Sequence, residues 1–337
     1  MPFKGNYNKS GGPQKQRPSG DHRAHQGQKP NQEQQRPAQN RPQRKPQPQE
    51  NLPEEKIPGL LTSPDNDKVR FIHNLLSKKD RYVARHFLAE GVRLVDEALN
   101  SPKPSLYTIY DPEALGKTEA GQRLLIRLYD MVEQKKGVFP ATARILEFMS
   151  DTVTPQGVVA AVPFLDWQAE QLAAARLHIV LDELQDPGNL GTIMRSAGGA
   201  GDTAVWLTEG SVDFYSPKVV RAGMGAHFRV PSAYGLAWPD LLERLKEAGV
   251  EQIFLAESEG SAGPVGESLP AMSYYEVDWT KPSAVIIGNE AHGPGPEARR
   301  AATHLLTIPM PGGAESLNAS VAASLIIFEA LRHRLQK

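Results

Sequence analysis

From Leu177 onward, short apolar runs at 177–183, 203–208, 252–257, 283–288 and 304–309 alternate with stretches of helical spacing. Strands separated by segments long enough for a crossover helix predict a mostly parallel sheet. The rhythm upstream is different. Residues 68–100 set Phe71, Leu75 and Leu76, then Val92, Val95, Ala98 and Leu99, on apolar stripes, which predicts two helices. A strand over 105–110, helices over 121–135 and 143–150, and a buried strand over 157–164 complete a small α/β unit. The polar, Ala-rich stretch 166–175 suits a connecting helix or linker between the two.

Composition narrows the chemistry. The 337 residues include no Cys, which excludes a disulfide framework, a thiolate metal site and a cysteine nucleophile, and fits a reducing compartment. No run approaches the roughly 18 apolar residues needed to span a bilayer, and the first twenty residues hold no apolar run suited to a signal peptide. A soluble, cytoplasmic protein without a membrane partner is the expectation. The formal net charge of −1 hides an asymmetry: residues 1–50 carry 10 Lys and Arg against 3 Asp and Glu, leaving the remainder at −8. That segment also has 11 Gln and 8 Pro, and its only apolar residues are Met1, Phe3, Tyr7, Ala24 and Ala38. It cannot bury enough surface to offset ordering, so residues 1–58 are expected to be a disordered basic arm. Such an arm suits a polyanionic partner; a solubilising tail or an organelle-targeting segment is the alternative.

Ligands of parallel sheets bind beyond the carboxyl ends of the strands, and three of those loops are unusual. The first reads Asp186-Pro187-Gly188-Asn189-Leu190-Gly191-Thr192-Ile193-Met194-Arg195-Ser196. Leu190, Ile193, Met194 and Ala197 recur at helical spacing, so a helix starts near Asn189 and buries that stripe. Arg195 falls almost opposite, from where a long side chain can reach back toward Asn189. Read alone, the segment is better explained by an Asn189 that is only an N-cap and an Arg195 on a solvated face than by a site. The second loop reads Gly288-Asn289-Glu290-Ala291-His292-Gly293-Pro294-Gly295-Pro296 and sets a carboxylate at the end of a buried strand. His292 is read there as an ordinary loop residue before a catalytic one. The third runs from Leu306 through Ile308-Pro309-Met310-Pro311-Gly312-Gly313-Ala314-Glu315-Ser316-Leu317-Asn318 into a long apolar helix, expected to begin at Ser316 and to end near Leu335. Leu317, Val321, Leu325 and Phe328 are expected to form its buried face, as core or as a subunit interface. Gly188 and Gly191 are spaced G-x-x-G, which does not match a dinucleotide fingerprint and argues against an oxidoreductase.

Together the three loops resemble the three motifs of the SpoU/TrmH family of RNA 2′-O-ribose methyltransferases, in family order. The segment Tyr215-Ser216-Pro217-Lys218-Val219-Val220-Arg221-Ala222-Gly223-Met224-Gly225-Ala226 also looks like the family. The upstream unit, with Phe87-Leu88-Ala89-Glu90-Gly91 and Thr154-Pro155-Gln156-Gly157-Val158-Val159, is similar to its substrate-binding domain, which resembles an RNA-binding ribosomal protein. The resemblance implies an α/β architecture: a parallel-sheet trefoil-knot methyltransferase domain over 176–337, preceded by a small α/β RNA-binding domain over 66–164. It implies S-adenosylmethionine, held largely by backbone at Gly288, Ile308 and Leu317, with Met310 and Asn318 beside it. Asn189, Arg195, Glu290, Ser316 and Asn318 would form the catalytic set, with Arg195 on the ribose hydroxyl or adjacent phosphate and Asn189 orienting Arg195 or the ribose. A homodimer acting on RNA without a metal is implied. Ribosomal RNA of the 23S type is the expected substrate; transfer RNA, or a non-catalytic ribosome-assembly role for the same fold, are the alternatives. Pro294 departs from the family, which often carries Leu there, and removes a donor while fixing φ.

Overall fold

The computed structural model describes residues 57–257 and 269–336, so the arm expected over 1–58 lies outside the described residues but for its last two. Both sheets belong to one compact unit, Glu54–Lys337.

The first sheet is built from α1 (Asp67–Asn74), α2 (Lys78–Ala84), β1 (His86–Glu90), α3 (Val92–Leu99), β2 (Tyr107–Tyr110), α4 (Pro112–Gly116), α5 (Glu119–Glu133), β3 (Val138–Pro140), α6 (Ala143–Met149) and β4 (Val158–Pro163). Its strand order is β1-β4-β2-β3, with β4 antiparallel to both neighbours and β2 parallel to β3. The strand β1 corrects the expectation of two helices across 68–100. Phe87 and Ala89 face one apolar cluster while Leu88 faces another, and β4 divides the same way, Val158, Ala160 and Val162 against Val159 and Ala161. A sheet buried on both faces yields a continuous apolar run, and periodicity alone cannot tell such a run from a buried helix.

The second sheet follows α7 (Ala169–Ala173), a short helix within the expected connector. Its elements are β5 (Leu177–Leu181), α8 (Pro187–Ala200), β6 (Thr203–Thr208), α9 (Pro217–Gly223), β7 (Ser232–Leu236), α10 (Trp238–Glu247), β8 (Gln252–Ala256), β9 (Ala271–Ser273), β10 (Ser283–Ile287), α11 (Pro296–Ala301), β11 (His304–Thr307) and α12 (Ala319–Leu335). All seven strands run parallel in the order β7-β6-β5-β10-β8-β11-β9. The chain moves outward from β5 through β6 to β7, then returns to β8 and β10 on the other side of β5. The reversal between β5 and β10 is a topological switch point, where open α/β sheets form crevices.

The two sheets share a core. Tyr215 stacks on Phe164 at 4.1 Å between ring centroids and on Phe87 at 4.8 Å. Ion pairs rim this contact: Arg81 with Asp213, Arg229 with Glu97, and Arg221 with Asp151 at 2.7 Å and Glu90 at 3.6 Å. Behind it α8 and α9 approach so closely that a side chain at Gly191 would collide with Ala222.

Two expectations for the last helix are overturned. Ser316 does not begin it; Asn318 is the N-cap, its Oδ1 accepting from the N–H of Ser320 at 2.9 Å. Leu317, Val321, Leu325 and Phe328 are not its buried face, since all four are exposed, whereas Ser320, Ala323, Ile326, Ile327 and Ala330 are buried. The helix is apolar on most of its circumference, and the smaller residues allow the close approach to α8, where Ser324 and Ser196 share a hydrogen bond of 2.7 Å.

Candidate active site

A cleft of about 490 Å³ opens at the carboxyl ends of β8, β10 and β11. Gly288, Ile308, Met310, Ser316, Leu317, Asn318 and Glu290 all line it, so seven of the nine residues singled out from the three motifs share one cavity. Asn189 and Arg195 are outside its lining.

The first motif is a helix start. Asp186, not Asn189, is the N-cap: its Oδ1 accepts from the N–H of Asn189 at 2.7 Å, and Pro187 occupies the first turn, where a missing N–H costs nothing. The stripe Leu190, Ile193, Met194 and Ala197 is buried as its spacing predicts. Asn189 is thereby freed to use its side chain elsewhere, and Nδ2 donates to Glu290 Oε1 at 2.9 Å. Arg195 is exposed and makes no hydrogen bond or ion pair with a described residue. At about 100° per residue, it falls between Gly191, which faces Ala222 of α9, and Ser196, bonded to Ser324 of α12. Its position on the helix thus lies between the sides turned to those two helices, and no hydrogen bond joins it to Asn189.

The second motif clamps the first. Glu290 accepts from the backbone N–H groups of Gln185 and Asp186, each at 3.1 Å, as well as from Asn189. Partial burial works to raise its carboxyl pKa, but these bonds outweigh it and hold the pKa below the usual range. A carboxylate so held is a poor proton acceptor and a good anchor. Asn289 organises the rest of the turn: Oδ1 accepts from the N–H of Ala291 at 2.9 Å and of His292 at 3.1 Å, while Nδ2 donates to the Glu183 carbonyl at 2.8 Å. Glu183 itself adopts φ +51°, a left-handed conformation uncommon outside glycine. His292 is exposed, a loop residue outside the cleft. Pro294 lines the cleft, and its ring nitrogen presses on Gly288 so tightly that a Cβ at Gly288 would lie 2.7 Å from the Gly293 carbonyl carbon. Glycine is required there by close approach.

Sequence reasoning passed over several supports. Buried Asp182, at the end of β5, accepts from the Gly295 N–H at 2.7 Å and from Trp238 Nε1 at 3.2 Å, fixing the far end of the second motif. Asn289 sat in plain view beside Glu290; an Asn after a strand and two residues before a backbone donor is an Asx-turn signal. Ser316 is exposed on the cleft wall with its hydroxyl unbonded to any described residue, and Asn318 spends Oδ1 on the helix cap.

Two family descriptions match: the SpoU rRNA Methylase family over residues 176–328 and the MRM3-like substrate binding domain over residues 66–160. The chain is 32% identical over 268 residues to the Bacillus subtilis 23S rRNA (guanosine(2553)-2′-O)-methyltransferase RlmP, covering 80% of this chain and 97% of that one. The chain belongs to the SpoU rRNA methylase family. It is 30% identical to an uncharacterized tRNA/rRNA methyltransferase of Synechocystis over 81% of its own length and 94% of the relative's. Among solved structures, an AdoMet-bound rRNA methyltransferase from Sinorhizobium meliloti superposes with a TM-score of 0.66 at 29% identity, covering 81% of this chain and 97% of that one. Family membership makes the chain an RNA methyltransferase that uses S-adenosylmethionine.

The residues present fit that cofactor. The cleft lies within the roughly 300–1,000 Å³ usual for small-molecule sites. Leu306, Ile308 and Ala322 offer an apolar wall for a purine, and the backbone N–H groups of Ser316 and Leu317 donate to no described residue. Among the described residues no His, Asp and Glu side chains are grouped as a metal would require, and no helix is long and apolar enough to cross a membrane.

Proposed function

We propose that this SpoU-family chain methylates a ribose 2′-hydroxyl of ribosomal RNA of the 23S type. The observation that carries the reading is the meeting of the second and third motifs in one cleft, with the first motif clamped to its edge through Asn189 and Glu290. RlmP acts on 23S rRNA, and the match to a substrate-binding domain over 66–160 supports a structured RNA target. Domain limits of 66–164 and 176–337 belong to this reading and are supported by the two sheets, with the arm to residue 58 adding salt-sensitive RNA affinity.

Bound S-adenosylmethionine supplies an electrophilic methyl group, and methyl transfer to oxygen needs an aligned approach and loss of the hydroxyl proton. Gly288, Ile308, Met310 and Leu317 would hold the cofactor, with Ser316 and Asn318 completing the pocket. Glu290 and Asn189 set the loop that borders the incoming ribose. Arg195 clamps the adjoining phosphate, for which a planar guanidinium fork is suited. The hydroxyl proton is lost to water or with the help of that phosphate, without Arg195 as its acceptor. This division of labour assigns Glu290 a positioning role, in keeping with its depressed pKa.

Threading of the 308–318 segment as a trefoil knot belongs to the same reading, supported by α12 turning back onto α8 after that segment passes the cleft. A homodimer is supported by the apolar stripe Val321, Leu325 and Phe328, exposed beside a groove that continues to Thr192 of α8. The Cys-free sequence supports action in the cytoplasm. Incubation of the protein with labelled S-adenosylmethionine and with ribosomal or transfer RNA from cells lacking it tests the proposal. Label at one ribose of 23S-type RNA, lost with Arg195→Ala, is expected; label in transfer RNA alone overturns the substrate, and cofactor binding without label in naked RNA or assembling particles overturns the activity.

A further inference from the structure

We propose that Glu257, which belongs to none of the three motifs, is a cofactor-binding residue whose carboxylate accepts hydrogen bonds from the vicinal ribose hydroxyls of S-adenosylmethionine. The inference rests on reading the cleft as the cofactor site. Ala256, the last residue of β8, is paired with Ile287 of β10 on one side and Leu306 of β11 on the other. Glu257 follows directly, so it stands at the carboxyl edge of the sheet between the loops that begin at Gly288 and Ile308, and all three residues line the cleft. Its own N–H is tied to the Leu306 carbonyl at 3.1 Å, which fixes the backbone there.

The side chain is 9% exposed, and a carboxylate so enclosed is costly without partners. Arg299 of α11 supplies them as a fork, Nη2 to Oε1 at 2.6 Å and Nη1 to Oε2 at 2.9 Å. A carboxylate offers about four acceptor positions; the fork takes two, which leaves acceptor capacity toward the cavity that Glu257 lines. Arg299 also cancels most of the charge, so the site has little pull on a cation such as an amino acid ammonium. Neutral hydroxyl donors suit it better. An acid at the end of a strand serves ribose in this way in dinucleotide-binding sheets, for the same geometric reason.

Calorimetry on the full chain separates the possibilities, with 5′-methylthioadenosine as a probe that keeps the ribose and lacks the ammonium, and its 2′,3′-dideoxy counterpart as the control. Glu257→Gln is expected to weaken methylthioadenosine about tenfold, as loss of charge-assisted acceptors predicts, and to leave the dideoxy probe unchanged. The double variant Glu257→Ala with Arg299→Ala, which leaves no unpaired cation, is expected to behave the same way. Equal loss for both probes assigns Glu257 a structural role and overturns the proposal; so does a loss seen with S-adenosylmethionine but not with methylthioadenosine, which would make the ammonium its partner. Unaltered affinity in both variants overturns it while leaving the cofactor site standing. Failure of the wild-type chain to bind S-adenosylmethionine would instead remove the underlying reading.

Discussion

Asn189 Nδ2 donates to Glu290 Oε1 at 2.9 Å across 101 residues of sequence, joining the loop after β5 to the loop after β10. The two strands are neighbours at the point where the sheet reverses its order, so this bond ties the helix start of the first motif to the rim of the cleft. Asn189→Ala removes a hydrogen bond to a charged group, an effect of about 1.5–3 kcal/mol. Methyl transfer is expected to fall roughly tenfold to a hundredfold with S-adenosylmethionine affinity unchanged, since Asn189 does not line the cleft. Steady-state kinetics beside calorimetry check it; equal losses in both would assign the bond to cofactor binding.

The same bond has a pH signature. Glu290 is held ionised below the usual carboxylate range, so its anchoring is complete above that range and is lost as pH falls through the depressed value. In Asn189→Ala the carboxyl rises, and the acid limb of the activity profile is expected to move to higher pH. An unshifted limb would detach Glu290 from the pH dependence.

Gly288→Ala places a methyl against the backbone of Gly293 and Pro294, neither of which is a flexible side-chain end. Overpacking of this kind costs about 1–3 kcal/mol, and relief requires moving the loop that borders the cofactor. Weakened cofactor binding with a fold intact by circular dichroism is the expected result.

His178 and His227 are buried, and burial depresses both pKa values to about 4. Each stays neutral in the folded chain while the unfolded chain gains its proton near pH 6.5, so stability present above pH 6.5 is lost as pH falls toward 4. Urea midpoints measured between pH 7.5 and 5 are expected to drop, and His227→Phe, in its pocket beside Phe214 at 4.7 Å, to flatten the dependence.

Arg81 and Asp213 are almost wholly buried between the two sheets, with Arg81 Nη1 also bonded to the Leu75 carbonyl at 2.7 Å. Breaking such a pair strands a buried charge and costs about 3–5 kcal/mol. Arg81→Met is expected to lower the unfolding midpoint far more than Arg81→Met with Asp213→Leu. The proposed homodimer is tested on a different surface: Leu325→Asp with Phe328→Asp, on the exposed stripe of α12, is expected to yield monomers in sedimentation without loss of helix content.

Local patterns were legible because their cause is local. The burial of Leu190, Ile193, Met194 and Ala197 follows from a 3.6-residue period, and the strands β5, β6, β8, β10 and β11 of the second sheet from apolar runs bounded by turn residues. The motif residues were legible through their resemblance to a family. By itself the sequence determined the strand-and-helix rhythm, the absence of cysteine from this sequence and, through the resemblance, seven of the residues that line the cleft. Tertiary structure alone decided that Phe87-Leu88-Ala89 is a strand, because only pairing with β4 distinguishes it from a helix. It decided which side of α12 is buried, because the helix is apolar nearly all round and contact with α8 makes the choice. It likewise decided that Glu290 anchors Asn189, and that Glu257 stands between two motif loops, because both relations join residues brought together by strand order, which no local period encodes.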